Sequence, residues 1–118
     1  MTFSPLPRIE LASKIVEACK GLVASTAQAV VNDACQTLPA SSSNVRHLMY
    51  DQAYYAVRDN MTEDLMKDDT VSDERLQELL TACNHEGGLE TTIKALGLKG
   101  VAAVHQDAAR QRILSQFN

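Results

Sequence analysis

The stretch from Ile9 to Leu38 sets what this chain can fold into. Leu11, Ile15, Ala18 and Leu22 recur at helical spacing. Ala12, Val16, Cys19, Val23, Ala27, Val30 and Ala34 widen that stripe, and Val31, Cys35 and Leu38 continue it. A period near 3.6 predicts one amphipathic helix, or two in series, with a broad apolar side. Glu10, Lys14, Glu17, Gly21 and Gln28 fall on the opposite face. A straight helix of this length would run about 45 Å, whereas a compact chain of 118 residues has a radius of gyration of about 13–14 Å. The stretch therefore either breaks, near Gly21 or at Ser25-Thr26, or leaves its overhang to a second copy. A homodimer is the expected alternative to a kink.

The remaining residues read as shorter helices. Pro39 ends the first helix, and Ala40-Ser41-Ser42-Ser43 has loop composition. Ser43 or Asn44 is placed to cap a second helix from Val45 to about Met61, extending towards Met66, with Val45, Leu48, Met49, Gln52, Ala56 and Val57 inward. Thr70 to Asp73 is a second break, and Ser72 or Thr70 suits the N-cap of a third helix reaching about His85. Gly87-Gly88 stops that helix, Leu89 to Leu96 forms a short fourth, and Gly97 closes it. A last helix runs from Lys99-Gly100 to about Ser115, with Val101, Val104 and Ala108 on its inner side. Aromatics are 4% of the chain and Trp is absent, so the core must be aliphatic. The prediction is an all-α fold: one domain over residues 1–118, a small bundle of four or five helices, the first the longest and kinked, if at all, near Gly21.

Charge is unevenly distributed. The net charge is -4, resolved as +1 over residues 1–58, -8 over 59–90 and +3 over 91–118. An acidic chain is a poor non-specific ligand for nucleic acid, because its middle third repels phosphate. Three cysteines at wide spacing, Cys19, Cys35 and Cys83, do not make a secreted disulfide framework. Met1 to Arg8 lacks the basic start and apolar core of a secretory signal. No run of 18 uncharged apolar residues occurs, so no membrane span is expected. The expected location is the cytoplasm.

Candidate sites are few. His47 and Asp51 stand four residues apart on one helix, a spacing that brings side chains together, but two ligands do not make a metal centre. His85 and His105 lie on other predicted helices, and only the fold decides whether the three histidines converge. Cys19 and Cys35 read as small buried apolar residues. No calcium-loop, zinc or nucleophile motif is present, so no cofactor, metal or catalytic residue is assigned. Tyr50, Tyr54 and Tyr55 hold most of the aromatic content, and tyrosine is enriched at protein interfaces. The acidic run that follows includes Asp64, Asp68 and Asp69. Tyrosines rimmed by carboxylates suit a binder of basic protein surfaces.

Three functional readings follow. The first is a non-enzymatic interaction module (adaptor, accessory or inhibitor) that meets a basic protein through Tyr50, Tyr54, Tyr55, Asp64, Asp68 and Asp69. The second is a helix-turn-helix-like DNA-binding regulator using residues 89–114; its second helix offers His105, Arg110 and Arg112, fewer cations than recognition helices carry. The third is a metal-binding or enzymatic helical protein using the histidines.

Overall fold

The computed structural model describes residues 6–37 and 43–117. Among them the chain forms seven helices and no strand: α1 (Arg8–Ala18), α2 (Lys20–Thr37), α3 (Ser43–Lys67), α4 (Asp73–Ala82), α5 (Gly88–Ala95), α6 (Leu98–Val104) and α7 (Gln106–Phe117). The all-α expectation holds. The expected count of four or five does not, because two predicted helices are each cut by one residue. Cys19 separates α1 from α2, and His105 separates α6 from α7. At both residues the backbone tightens by one step. The Cys19 N–H reaches the carbonyls of both Ile15 and Val16, and the His105 N–H reaches Ala102 three residues back. A one-residue tightening leaves apolar spacing almost intact, so periodicity does not reveal it.

The break also falls at Cys19 rather than at Gly21. A Cβ on Gly21 would meet nothing within 4 Å, so this glycine serves no close helix crossing. The longest helix is α3, with 25 residues, and not the first. Of the loop expected at 40–43, residues 40–42 lie outside the described residues and Ser43 already opens α3; the side chains expected to cap α3 also lie outside them.

Local signals explain the other ends. Pro7 is the N-cap of α1, with ψ at 147°; its fixed φ suits a helix entry. The Ser72 hydroxyl accepts the Arg75 N–H at 3.0 Å, with Asp73 and Glu74 in the first turn of α4, where carboxylates favour the dipole. Gly87 and Gly97 take left-handed φ values of 78° and 59° and allow the sharp turns into α5 and α6.

Arg8 at the start of α1 bonds to main-chain carbonyls at the end of α3, and Cys35 near the end of α2 lies beside His47 and Tyr50 near its start, so α1 and α2 run antiparallel to α3. α1 packs on α3 and α4, α2 on α3 and α7, and α6 bridges α2, α3 and α5. One core joins Leu11, Ile15 and Val16 of α1 to Val23 and Val30 of α2, Met49 and Met61 of α3, Leu76, Leu98 and Ile113, all at most 2% exposed. Buried alanines at positions 12, 27, 34 and 53 let helices approach closely. No described helix is long and apolar enough to cross a membrane.

The buried row of α3 is Met49, Ala53, Val57, Met61 and Leu65. Steps of four residues drift by 40° in a helix of 3.6 residues per turn, so this row turns by about 160° from end to end. α3 thus faces α2 and α7 with one side near its start and presents a different side near its end. Three inward assignments are corrected. Leu48 is 53% exposed and Val104 is 72% exposed, while Ala108 is exposed and its neighbour Ala109 is buried. The last change follows from the buried row itself, which runs Leu98, Ala102, Ala109 and Ile113 at helical spacing across His105 and leaves Ala108 to one side.

Candidate interaction surfaces flanking the third helix

Rows of i,i+4 residues lie on either side of the buried row. One residue further along the chain at each step come Tyr50, Tyr54, Arg58 and Thr62; one residue back come Ala56, Asn60, Asp64 and Asp68. Each offset is about 100° round the helix, in opposite senses. Because the buried row itself turns along α3, these flanks are local: Tyr50 and Tyr54 meet α2 and α1 near the start of α3, Asp64 and Asp68 meet the α5–α6 turn and His105 near its end, and the residues expected to form one patch have different neighbours.

The tyrosine flank faces α1 and α2. The Tyr50 and Tyr54 rings are 6.1 Å apart and tilted by 37°, and Tyr54 meets Tyr55 edge-on at 6.0 Å. Both distances fall in the attractive range for aromatic pairs. Tyr50 and Tyr54 are half-buried against the core, whereas Tyr55 is exposed, with the Arg58 guanidinium 4.8 Å from its ring centre. An open groove of about 710 Å³ runs between α2 and the start of α3, with Gln28, Val31, Cys35, His47 and Tyr50 in its walls. Its polar and apolar walls alternate, and no single ligand chemistry is marked out there.

The carboxylate flank faces α5 and α6. Asp64 Oδ2 lies 2.6 Å from Nε2 of His105, the residue at the break between α6 and α7. Asp68 stands just past the end of α3 and accepts from the Thr70 N–H at 3.0 Å and the Thr70 hydroxyl at 2.5 Å. These bonds, Thr70's hydroxyl first, hold the Asp68 carboxyl below its usual range; the Arg8 charge adds a smaller push in the same direction. Asp69 is exposed in the following turn. Between this end of α3 and the α5–α6 turn lies a recess of about 230 Å³. Met61, Leu65, Leu96, Leu98 and Val101 supply its apolar surface, and Asp64, Lys67 and Asp68 complete its lining. The sequence pointed to Asp64 and Asp68 but not to the recess. Leu96-Gly97-Leu98 signals a helix end, and nothing in it says that α3 will lie alongside.

The histidines occupy separate elements. His47 is exposed on α3, its Nε2 3.7 Å from Asp51; His85 is exposed in the turn after α4; His105 is engaged by Asp64. Among the described residues no group of three or more His, Cys, Asp or Glu side chains is placed to hold a metal ion. All three cysteines are free thiols. Burial pushes the Cys19 thiol up to about 11, with Cys83 nearby adding to the effect.

The segment 89–114 does form a helix, a glycine turn and a second helix, but that second helix stops at Val104. Beyond it, α7 turns Ala109 and Ile113 into the core, and Arg110 pairs with Asp107 at 3.0 Å. Comparison with protein-family models, characterised proteins and solved structures gave no match.

Proposed function

We propose that this chain is a non-enzymatic protein-interaction module, an adaptor, accessory or inhibitor of the cytoplasm, that docks a basic protein surface at the acidic end of α3. The observation that carries this reading is the placing of charge. Residues 59–90 hold -8 of net charge, and Asp64, Asp68 and Asp69 cluster around the C-terminal end of α3. Carboxylates at that end oppose the helix dipole, typically by 0.3–1 kcal/mol each at about the last turn. Lys67 and Arg8 supply cations at this end and Thr70 holds Asp68, which lets the fold carry these carboxylates. Carboxylates in that position suit recognition of lysine and arginine on a partner. Tyr55 and Leu48, seven residues apart and both about half exposed, offer a second contact on α3, with the Tyr54 ring edge-on to Tyr55.

A homodimer stays part of the proposal, because the protein measures 58 × 27 × 23 Å with a radius of gyration of 16.0 Å and is longer than a compact chain of its size. The first helical stretch breaks at Cys19, and its apolar side is covered by α3, α4 and α7. Native mass spectrometry of the purified protein reads the oligomer directly.

The test of the proposed function is a pull-down from source extract with the native chain and with Asp64, Asp68 and Asp69 all changed to Lys. The expected result is a partner held by the native chain at low salt and released as salt rises, with at least tenfold weaker capture by the variant. Equal capture by both rejects a role for the acidic end.

A further inference from the structure

We infer that the recess between the end of α3 and the α5–α6 turn is a socket for one large apolar side chain on a basic helical segment of the partner. This rests on the preceding reading and specifies the partner's chemistry. Three observations carry it. The recess is apolar at depth: Met61, Leu65 and Leu98 are at most 4% exposed, so its floor is part of the core. Its volume of about 230 Å³ is below the roughly 300–1,000 Å³ of small-molecule pockets, and suits an inserted side chain better than a cofactor. Its rim carries charge of one net sign. Asp64 and Asp68 face it, and the one cation among its lining residues, Lys67, is already engaged by Glu63 at 2.6 Å.

The apolar surface does not stop at the rim. Val104 is one turn past Val101 on α6, a spacing that makes neighbours on a helix surface, and at 72% it is the most exposed large apolar side chain described. An isolated exposed valine is ordinary, but one continuing an open apolar recess extends a docking strip. A helix bearing a leucine or phenylalanine, with lysine or arginine a turn to either side, would seat its apolar residue against Leu65 and Val101. Its cations would then reach Asp64 and Asp68. His105 also faces this site through Asp64, so an incoming cation shares that carboxylate with the imidazole. Phosphate-bearing ligands are disfavoured by the same rim. Apolar anchors in a desolvated socket carry most of the affinity in such helix-in-groove contacts, and the surrounding charges set selectivity and rate.

The experiment uses the full chain and two fluorescent peptides of equal charge: an amphipathic helix of leucine and lysine, and its counterpart with every leucine replaced by alanine. The expected result is at least tenfold tighter binding of the leucine peptide. Val101→Phe, which fills the recess, should reduce its affinity to that of the alanine peptide. Methyl NMR of the native chain should show Leu65, Leu96 and Val101 shifting with the leucine peptide only, a readout that does not depend on the variant folding. Equal affinity for the two peptides, or methyl shifts confined to Leu48 and the tyrosine flank, overturns the socket. If both peptides still bind and Asp64→Asn with Asp68→Asn releases them, the acidic-surface reading stands without it. If neither peptide binds at low salt, both fall.

Discussion

Arg8 in the first turn of α1 and Asp73 in the first turn of α4 are joined by a 2.7 Å ion pair, and the same guanidinium closes the end of α3. Its Nε donates to the Met66 carbonyl at 2.7 Å, and its Nη2 donates to the carbonyls of Asp68 at 2.6 Å and Leu65 at 3.2 Å. The last carbonyls of a helix have no partners within it. One side chain from a distant part of the chain supplies them here, and it adds a positive charge where the dipole and the nearby carboxylates need one.

Arg8→Ala should therefore cost about 2–3 kcal/mol, the usual loss for hydrogen bonds to a charged group. For a domain of this size that lowers Tm by roughly 6–18 °C. Arg8→Lys should recover less than half, because an ammonium is a point charge and cannot span three carbonyls and a carboxylate as a planar fork does. Thermal and urea unfolding of the two variants measure this directly.

The glycines Gly21 and Gly88 should respond to alanine in opposite directions. Gly21 sits in α2 with open space around its missing side chain, so Gly21→Ala should stabilise by about 0.5 kcal/mol through the unfolded chain. A Cβ on Gly88 would collide with the Ala82 carbonyl, which is backbone and cannot swing away. Gly88→Ala should cost about 2–3 kcal/mol as α4 and α5 separate. Urea midpoints of the two variants moving the same way would contradict the packing of the α4–α5 turn.

The Asp68 carboxyl titrates below the usual aspartate value of 3.8, chiefly through Thr70. A depressed folded-state value means that the turn's contribution is complete above that ordinary value and is lost as pH falls through the depressed one. Thr70→Val removes the hydroxyl donor and should move the Asp68 titration back up, as read by carbon-13 NMR of the carboxyl. Asp68 is largely solvated, so the accompanying change in stability should be small.

Cys19 should be the slowest of the three thiols to label. It is 1% exposed, and burial raises it to about 11 from an ordinary 9.0, so little thiolate forms at pH 8. Cys35 and Cys83 are half-buried and should react first with Ellman's reagent. Between about 9 and 11 the folded protein keeps a proton on Cys19 that the unfolded chain has lost. Stability should therefore fall as pH rises through that window. Urea midpoints at pH 8 and pH 10 should show the fall, and Cys19→Ala should reduce it.

Much of this architecture is legible in local chemistry. The 3.6 period of Leu11, Ile15, Val23, Ala27 and Val30 specifies helix with one buried side, because side-chain direction follows backbone geometry. Ser72 reads as a cap and is one, and Gly87 and Gly97 mark turns that need a left-handed residue. Apolarity alone places Leu48 and Val104 inward, and the structure exposes both. Whether an apolar residue is covered depends on where the neighbouring helix lies, and no local signal carries that.

Local chemistry specifies a helical chain, most of its helix ends, an aliphatic core and the gathering of negative charge after Asp59. Long-range packing alone gives Tyr54 and Asp64 different neighbours. Both are on α3, about 15 Å apart along it, but Tyr54 meets Ser13, Glu17 and Lys20 of the first helical stretch whereas Asp64 meets His105. Only that packing brings Leu65, Leu98 and Val101 together beside Asp64. The reason is physical: hydrogen bonding and side-chain periodicity act over four or five residues, whereas a recess and its rim are made by helices that meet only when the core closes.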